Sequence, residues 1–404
     1  MRRNLHGKNT VRYYLVFIIF LAFLFFSNDF GVLNVQKTDI VMAVGVDREE
    51  DTFIVTSQIA VPQSSSQGKT SETVQLVSRG NTVAQAFEEI NAKTGWYPKL
   101  VFCHLILLGE KTTEQNVFDA LDFFIRDEYL SDNCQVAACD GLAKDLLDSS
   151  ALVDPSTSVA IGKVLSDHAT RVGTVLPSTL REFAIGYYSE SKSGYLPVVK
   201  KQPQQEQIGV TPSNSSSNSS SSSSQNGQNS TESPQGEVFS ARETALFVQG
   251  KRVETLTDEE TFALDAVIGK LRLAPYTVER EGKICTLSVR RNSPKIKLDV
   301  GKNGSADLKI HLALTSGMID FSEALPVEDI ADSGNVPKEY FFQASKKLAS
   351  EIQRVFEKSK NVGCDLFGVR ERIVKYEKRS LKTFADSALK NTVLSVNVTF
   401  SDVR

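Results

Sequence analysis

The chain has 404 residues, 41% apolar and 24% charged, with a net charge of −3. That is ordinary globular composition, with room for two or three domains. Interspersed acids and bases exclude nucleic acid as the main partner, and five cysteines are too few for a disulfide framework.

The first element is an apolar block. Residues 15–26 are twelve apolar residues without a break, preceded by Arg2, Arg3, Lys8 and Arg12, and no acid occurs before Asp29. Positive charge ahead of such a block favours a cytoplasmic N-terminus with the rest exported. Twelve residues are short for a bilayer, which needs about 20. Val11, Tyr13, Tyr14 and residues 30–35 extend the block to a possible span, with tyrosines suited to the interface. The alternative is a cleaved signal peptide, but a cut after Ser27 would put Phe25 where a small residue belongs. The reading adopted is a basic cytoplasmic tail over 1–12 and an uncleaved transmembrane helix over 13–35.

Residues 36–201 predict an N-terminal α+β region, possibly of two subdomains. "TDIVMAVGVD" and "TFIVTSQIAV" alternate as the strands of a hairpin, with an acidic turn over 47–51. "ETVQLVS" is a further strand. Thr82 with Gln85 caps "VAQAFEEINAKT". Residues 99–110, "KLVFCHLILLGE", predict one continuous apolar strand covered on both faces. Thr112 with Gln115 opens a helix through "VFDALDFFIRDE", where an ion pair of Arg126 with a neighbouring acid ends the helix. "QVAAC" is a short strand, "STSVAIGKVLSDHA" a helix, "STLREFAIGYYSE" a helix capped by Thr179 and Glu182, and "GYLPVVK" a strand.

Residues 202–236 carry twelve serines and only Ile208 and Val210 as aliphatics. Such a segment cannot bury enough surface to offset the entropy of ordering, and is read as a disordered linker. Residues 237–404 predict a C-terminal α+β domain. It opens with two strands around Gly250 and a helix capped by Thr257 and Glu260. Strand runs follow at "KICTLSVRR", "KIKLDV" and "ADLKIHLALT", with a turn over 301–304. A long helix begins near Pro337, with Phe341, Leu348, Ile352 and Val355 on one face. Gly363 ends it in a left-handed cap. "DLFG" then tucks Leu366 and Phe367 under, with Gly368 allowing close approach. "NTVLSVNVTF" is a closing strand with one wet face. The fold class is α+β, with mixed, largely antiparallel sheets and packed helices in two or three domains, after one N-terminal transmembrane helix.

Catalytic chemistry has little support. No P-loop, G-x-G-x-x-G, G-x-S-x-G or H-E-x-x-H occurs. His104 sits in an apolar strand and is read as a satisfied core imidazole; His6, His168 and His311 lack partners close in sequence. Cys134 and Cys139 could pair, remain free, or pair with Cys103 or Cys285. No catalytic, metal, cofactor or lipidation residue is assigned, and no cofactor is expected. An anchored extracytoplasmic cell-wall hydrolase or wall-binding protein stays as the alternative.

Five stretches in order resemble the Ger(x)C family, the C subunits of spore germinant receptors. They are "TDIVMAVGVDREEDTFIVTSQIAVP", "HLILLGE" with "FFIRDEY", "STLREF" with "YLPVV", "ETALFVQGKRVETLTDEET", and "CDLFGVRERIVKYEKRSLK". The resemblance implies a non-enzymatic, membrane-anchored subunit on the outer face of the spore inner membrane, beside A-type and B-type subunits, contributing to assembly and signalling. The family's lipid-bearing cysteine has no counterpart, because no cysteine precedes Cys103. An apolar anchor that stays attached would substitute for the lipid.

Overall fold

Period-two alternation in residues 38–60 produces the expected hairpin, but the turn expected over 47–51 is only Glu50–Asp51, because residues 47–49 still pair with the second strand. The computed structural model describes residues 13–21, 38–60, 73–95, 97–166, 173–202, 237–301, 305–322, 336–377 and 382–402. Strands β1 (Thr38–Glu49) and β2 (Thr52–Ala60) pair antiparallel, with Glu49 opposite Thr52, and β3 (Thr73–Gly80) adds to β2. The other side of β1 carries β5 (Leu105–Leu108) in parallel, while β4 (Tyr97–Lys99) pairs with β1 off the main path. β6 (Gln135–Cys139) and β7 (Ser193–Lys201) continue in parallel. β8 (Phe239–Val248) and β9 (Lys251–Leu256) complete the sheet as an antiparallel hairpin.

Antiparallel hairpins thus flank a parallel centre, β1–β5–β6–β7, which the sequence reading did not anticipate. The centre is parallel because "LILL" has no polar face to offer water. All four residues of β5 are buried, and parallel strands need cover on both faces. Ile106 and Leu108 face helices α1 (Val83–Thr94), α3 (Phe118–Arg126) and α6 (Leu180–Tyr188). Leu105 and Leu107 face α4 (Ala143–Leu147) and α5 (Thr157–Val164). The expected strand over 99–110 is therefore shorter, since Val101 and Phe102 lie in an exposed turn.

The expected cap at Thr112 is also corrected. A single turn, α2 (Glu110–Thr113), precedes α3, and Gly109 stands at its N-cap. Thr112 instead turns its hydroxyl onto the Val46 carbonyl at 3.0 Å. A Cβ at Gly109 would collide with Asp47 Oδ1. That carboxylate accepts from the backbone N–H groups of Ala143 and Lys144 at 2.8 and 2.9 Å, capping α4 from another strand.

The second sheet runs β10 (Ala274–Arg280), β11 (Lys283–Val300), β12 (Ala306–Phe321) and β13 (Thr392–Asp402), the last pair parallel. The two runs read as separate strands form one 18-residue strand containing Pro294. Proline is tolerated because β10 pairs only as far as Val289, so that side of Pro294 has no strand to satisfy among the described residues. Helix α8 (Lys338–Asn361) covers this sheet with Leu348, Ile352 and Val355, as its spacing predicts, and with Tyr340 and Ala344, while Phe341, expected on the same face, is half-buried at its margin. Helix α7 (Asp258–Ile268) is buried along most of its length and shares the same core.

Residues 39–404 form one compact unit. Lys201 on β7 lies opposite Phe239 on β8, and the Gln202 N–H donates to the Val238 carbonyl at 2.9 Å. The serine-rich stretch, whose residues 203–236 lie outside the described residues, therefore leaves and re-enters one sheet at neighbouring strands. Residues 13–21, in the other unit, are helical with exposed side chains. No helix among the described residues is long and apolar enough to cross a membrane. Residues 22–35 of the expected span lie outside the described residues, as do His6 and His168.

Candidate functional site

The family-like stretches near residues 180, 195 and 365 meet around a hollow of about 370 Å³. Its wall begins with the N-terminus of α6. Thr179 Oγ1 accepts from the Glu182 N–H at 3.1 Å and the Glu182 carboxylate accepts from the Thr179 N–H at 3.4 Å, the expected capping box. Glu182 also accepts from Lys270 Nζ at 3.1 and 3.3 Å. Lys270 is placed by Gly269, which ends α7 at φ 91°, a left-handed conformation that glycine takes without strain.

Burial dominates the electrostatics. It pushes the Tyr195 phenol up, against the Lys270 ammonium beside it. Burial works to lower Lys270, but Tyr195 and Glu182 outweigh it and hold the ammonium above its ordinary value. Asp265, one turn back on α7, is fully buried, and neither carboxylate oxygen has a hydrogen-bond partner among the described residues. Burial pushes it up to about 7, against the pull of Lys270. Sequence reasoning missed this carboxylate. The available signal was an acid inside the apolar run "FALDAVI".

The opposite wall is the "CDLFG" turn. The Cys364 N–H donates to the Ser359 carbonyl at 2.8 Å, and Gly363 takes φ 74°, so α8 ends as expected. Cys364 is buried, its thiol pushed up to about 12 by desolvation. The Asp365 N–H donates to Ser193 Oγ at 2.9 Å, fastening the turn to β7. The Asp365 carboxylate accepts from the N–H groups of Val369 and Arg370 at 2.9 and 2.8 Å, which caps α9 (Val369–Tyr376). Burial raises this carboxyl while those N–H groups pull it back. Phe367 packs edge-on against Phe356 at 5.3 Å. Gly368 does not serve close approach, since a Cβ there would meet nothing; it supplies φ 66° instead.

The carboxylates of Glu182 and Asp365 are thus committed to caps and an ion pair. Among the described residues no cluster of three or more His, Cys, Asp or Glu could hold a metal. His104 has a partner, its Nε2 lying 3.2 Å from the Ser158 carbonyl, but it stands just before β5 and is half-buried, not a core residue within the strand. His311 is exposed on β12. Arg126 pairs with Asp122 at 2.6 Å on the surface of α3, the helix-end ion pair expected. All five cysteines are free and buried. Cys134 and Cys139 face opposite sides of β6, so they cannot pair with each other. The Cys134 thiol lies against that of Cys103, which together with burial holds it up.

Comparison with known proteins decides the family. Residues 32–201 match the model of the spore germination protein N-terminal domain, and residues 242–401 match the spore germination B3/GerAC-like C-terminal model. The chain belongs to the Ger(x)C family. It is 26% identical over 196 residues to spore germination protein A3 of Bacillus subtilis (strain 168), covering 46% of this chain and 51% of that protein. It is 30% identical over 136 residues to spore germination protein B3 of the same strain, covering 32% and 35%. The aligned parts thus span about half and about a third of those relatives. The GerBC crystal structure has the same fold, with a TM-score of 0.54 at 17% identity over 89% of this chain and 97% of that one. This Ger(x)C chain carries the "CDLFG" turn as a lock between β7 of the first sheet and the C-terminal end of α8.

Proposed function

We propose that the chain is a non-enzymatic, membrane-anchored subunit of a nutrient germinant receptor, on the outer face of the spore inner membrane. It contributes to receptor assembly and to the signal that triggers germination, beside A-type and B-type subunits. The observation that carries this reading is the pair of family matches, which together take in nearly all of residues 32–401. The committed state of Glu182 and Asp365 supports it against a hydrolase, which would need two carboxylates free across a cleft. The apolar block at residues 15–26 supports anchoring.

Two experiments test it. Deleting the gene is expected to abolish or delay the response of spores to at least one nutrient; an unchanged response to every nutrient would overturn the receptor role. Membranes washed in carbonate are expected to retain the protein with its N-terminal residues intact. A released form starting near residue 28 would overturn the anchor.

A further inference from the structure

A second feature lies away from the "CDLFG" hollow. A groove of about 970 Å³ runs between α8 and β13. Seven consecutive residues of β13, Val396 to Asp402, line it. A strand shows alternate residues to each face, so an unbroken run of lining residues means that the groove follows the backbone edge. β13 pairs only with β12, and its outer edge has no strand partner among the described residues. The far wall is the α8 surface carrying Phe341, Phe342 and Ala349, and Phe342 is 68% exposed.

This edge is built unlike those of β10 and β9, and, as on β3, it has a single charge. β10 at the opposite side of the sheet carries Pro275, Glu279 and Arg280, and β9 at the end of the first sheet carries Lys251, Arg252 and Glu254. Prolines and charges of that kind keep foreign strands away. β13 has no proline and no lysine, its one charged residue is Asp402 at its end, and its register with β12 runs without a bulge for eleven pairs. Lys338 and Lys346 stand on the α8 wall and make no ion pair among the described residues. An edge strand flanked by a helix is the geometry in which extended peptides add to sheets.

We propose that the outer edge of β13 is a strand-docking site for a partner polypeptide. The partner contributes an extended segment of about seven residues, roughly 20 Å long. Its backbone pairs with β13, and the one face it turns to α8 carries both apolar side chains, which sit against Phe341 and Phe342, and carboxylates, which meet Lys338 and Lys346. The inference rests on the assembly reading given above.

The probe is a fluorescein-labelled ten-residue peptide with valine and glutamate on one strand face and threonine on the other, followed by anisotropy against the full chain in detergent. Saturable binding is expected, about tenfold weaker for the double variant Lys338→Glu, Lys346→Glu, whose urea midpoint should stay that of the parent. N-methylating alternate amides along one edge of the peptide should abolish binding, and methylating the other edge should leave it intact. No binding, or binding indifferent to both methylation patterns, overturns the proposal. A concentration-dependent dimer of the chain, lost in Phe342→Glu, would assign the edge to a second copy and overturn it too. Peptide binding seen only after replacing residues 323–335 with a glycine–serine linker would assign the edge to the chain itself, and the proposal would again fall. Undiminished recovery of partner subunits with the double variant would remove this edge from assembly while leaving the receptor reading intact.

Discussion

Replacing Asp265 by asparagine should stabilise the protein in a way that grows with pH. The carboxyl is fully buried in α7, with both oxygens unpaired among the described residues. Burial lifts it from the ordinary 3.8 to about 7, which corresponds to about 4 kcal/mol between its charged and neutral forms. Between those two values the folded chain keeps the proton and the unfolded chain has released it. The unfolded state then binds fewer protons, so stability falls as pH rises through this window and levels off above it. Asparagine keeps the shape and carries no charge at any pH. Its constant cost as a buried amide cancels when its advantage is compared at two pH values. Urea denaturation of parent and Asp265→Asn at pH 4.5 and pH 8 should show that advantage growing by about 3 kcal/mol, with unchanged m-values. A difference independent of pH would refute the reasoning, as would a variant that loses ground at pH 8.

Other consequences follow from the same geometry. Asp365→Ala removes the acceptor of one buried and one half-buried N–H bond and should cost about 1–3 kcal/mol in urea melts, with Asp365→Asn losing less; a neutral alanine variant would contradict the lock. Replacing residues 203–236 with a five-residue glycine–serine loop should preserve the fold and stabilise it by about 1.5 kcal/mol through lower loop-closure entropy, because its ends lie on paired strands. A collapsed circular-dichroism signal would argue against that pairing. Peptide mapping under non-reducing conditions should find no Cys134–Cys139 bridge, and finding one would refute their placement on opposite faces of β6.

What could be read from the sequence was local. The capping boxes at Thr179 and Thr257 are fixed by groups three residues apart, and both formed. The closing strand kept its alternation, with Leu394, Val398 and Phe400 buried and Ser395, Asn397 and Thr399 exposed. Pairing between distant segments was not legible. Nothing in "LILL" names β1 and β6 as its neighbours, and nothing around the serine-rich stretch shows that Lys201 faces Phe239. Thr112 and Gln115 have the spacing of a cap, yet Thr112 found a better acceptor 66 residues away. Asp265 and Lys270 are neighbours through the helix end they share, but Tyr195, 75 residues before Lys270, joins them only in the folded chain. The "CDLFG" turn was legible as a helix stop; its second task, holding Ser193 through Asp365, depends on tertiary contact.

The proposed membrane-receptor role has one direct test. The direct measurement is affinity purification of the tagged full-length protein from detergent-solubilised spore inner membranes, with its companions identified by mass spectrometry. The account predicts recovery of an A-type and a B-type germinant receptor subunit together with the chain. Recovery of the chain alone, from the soluble fraction, would contradict it.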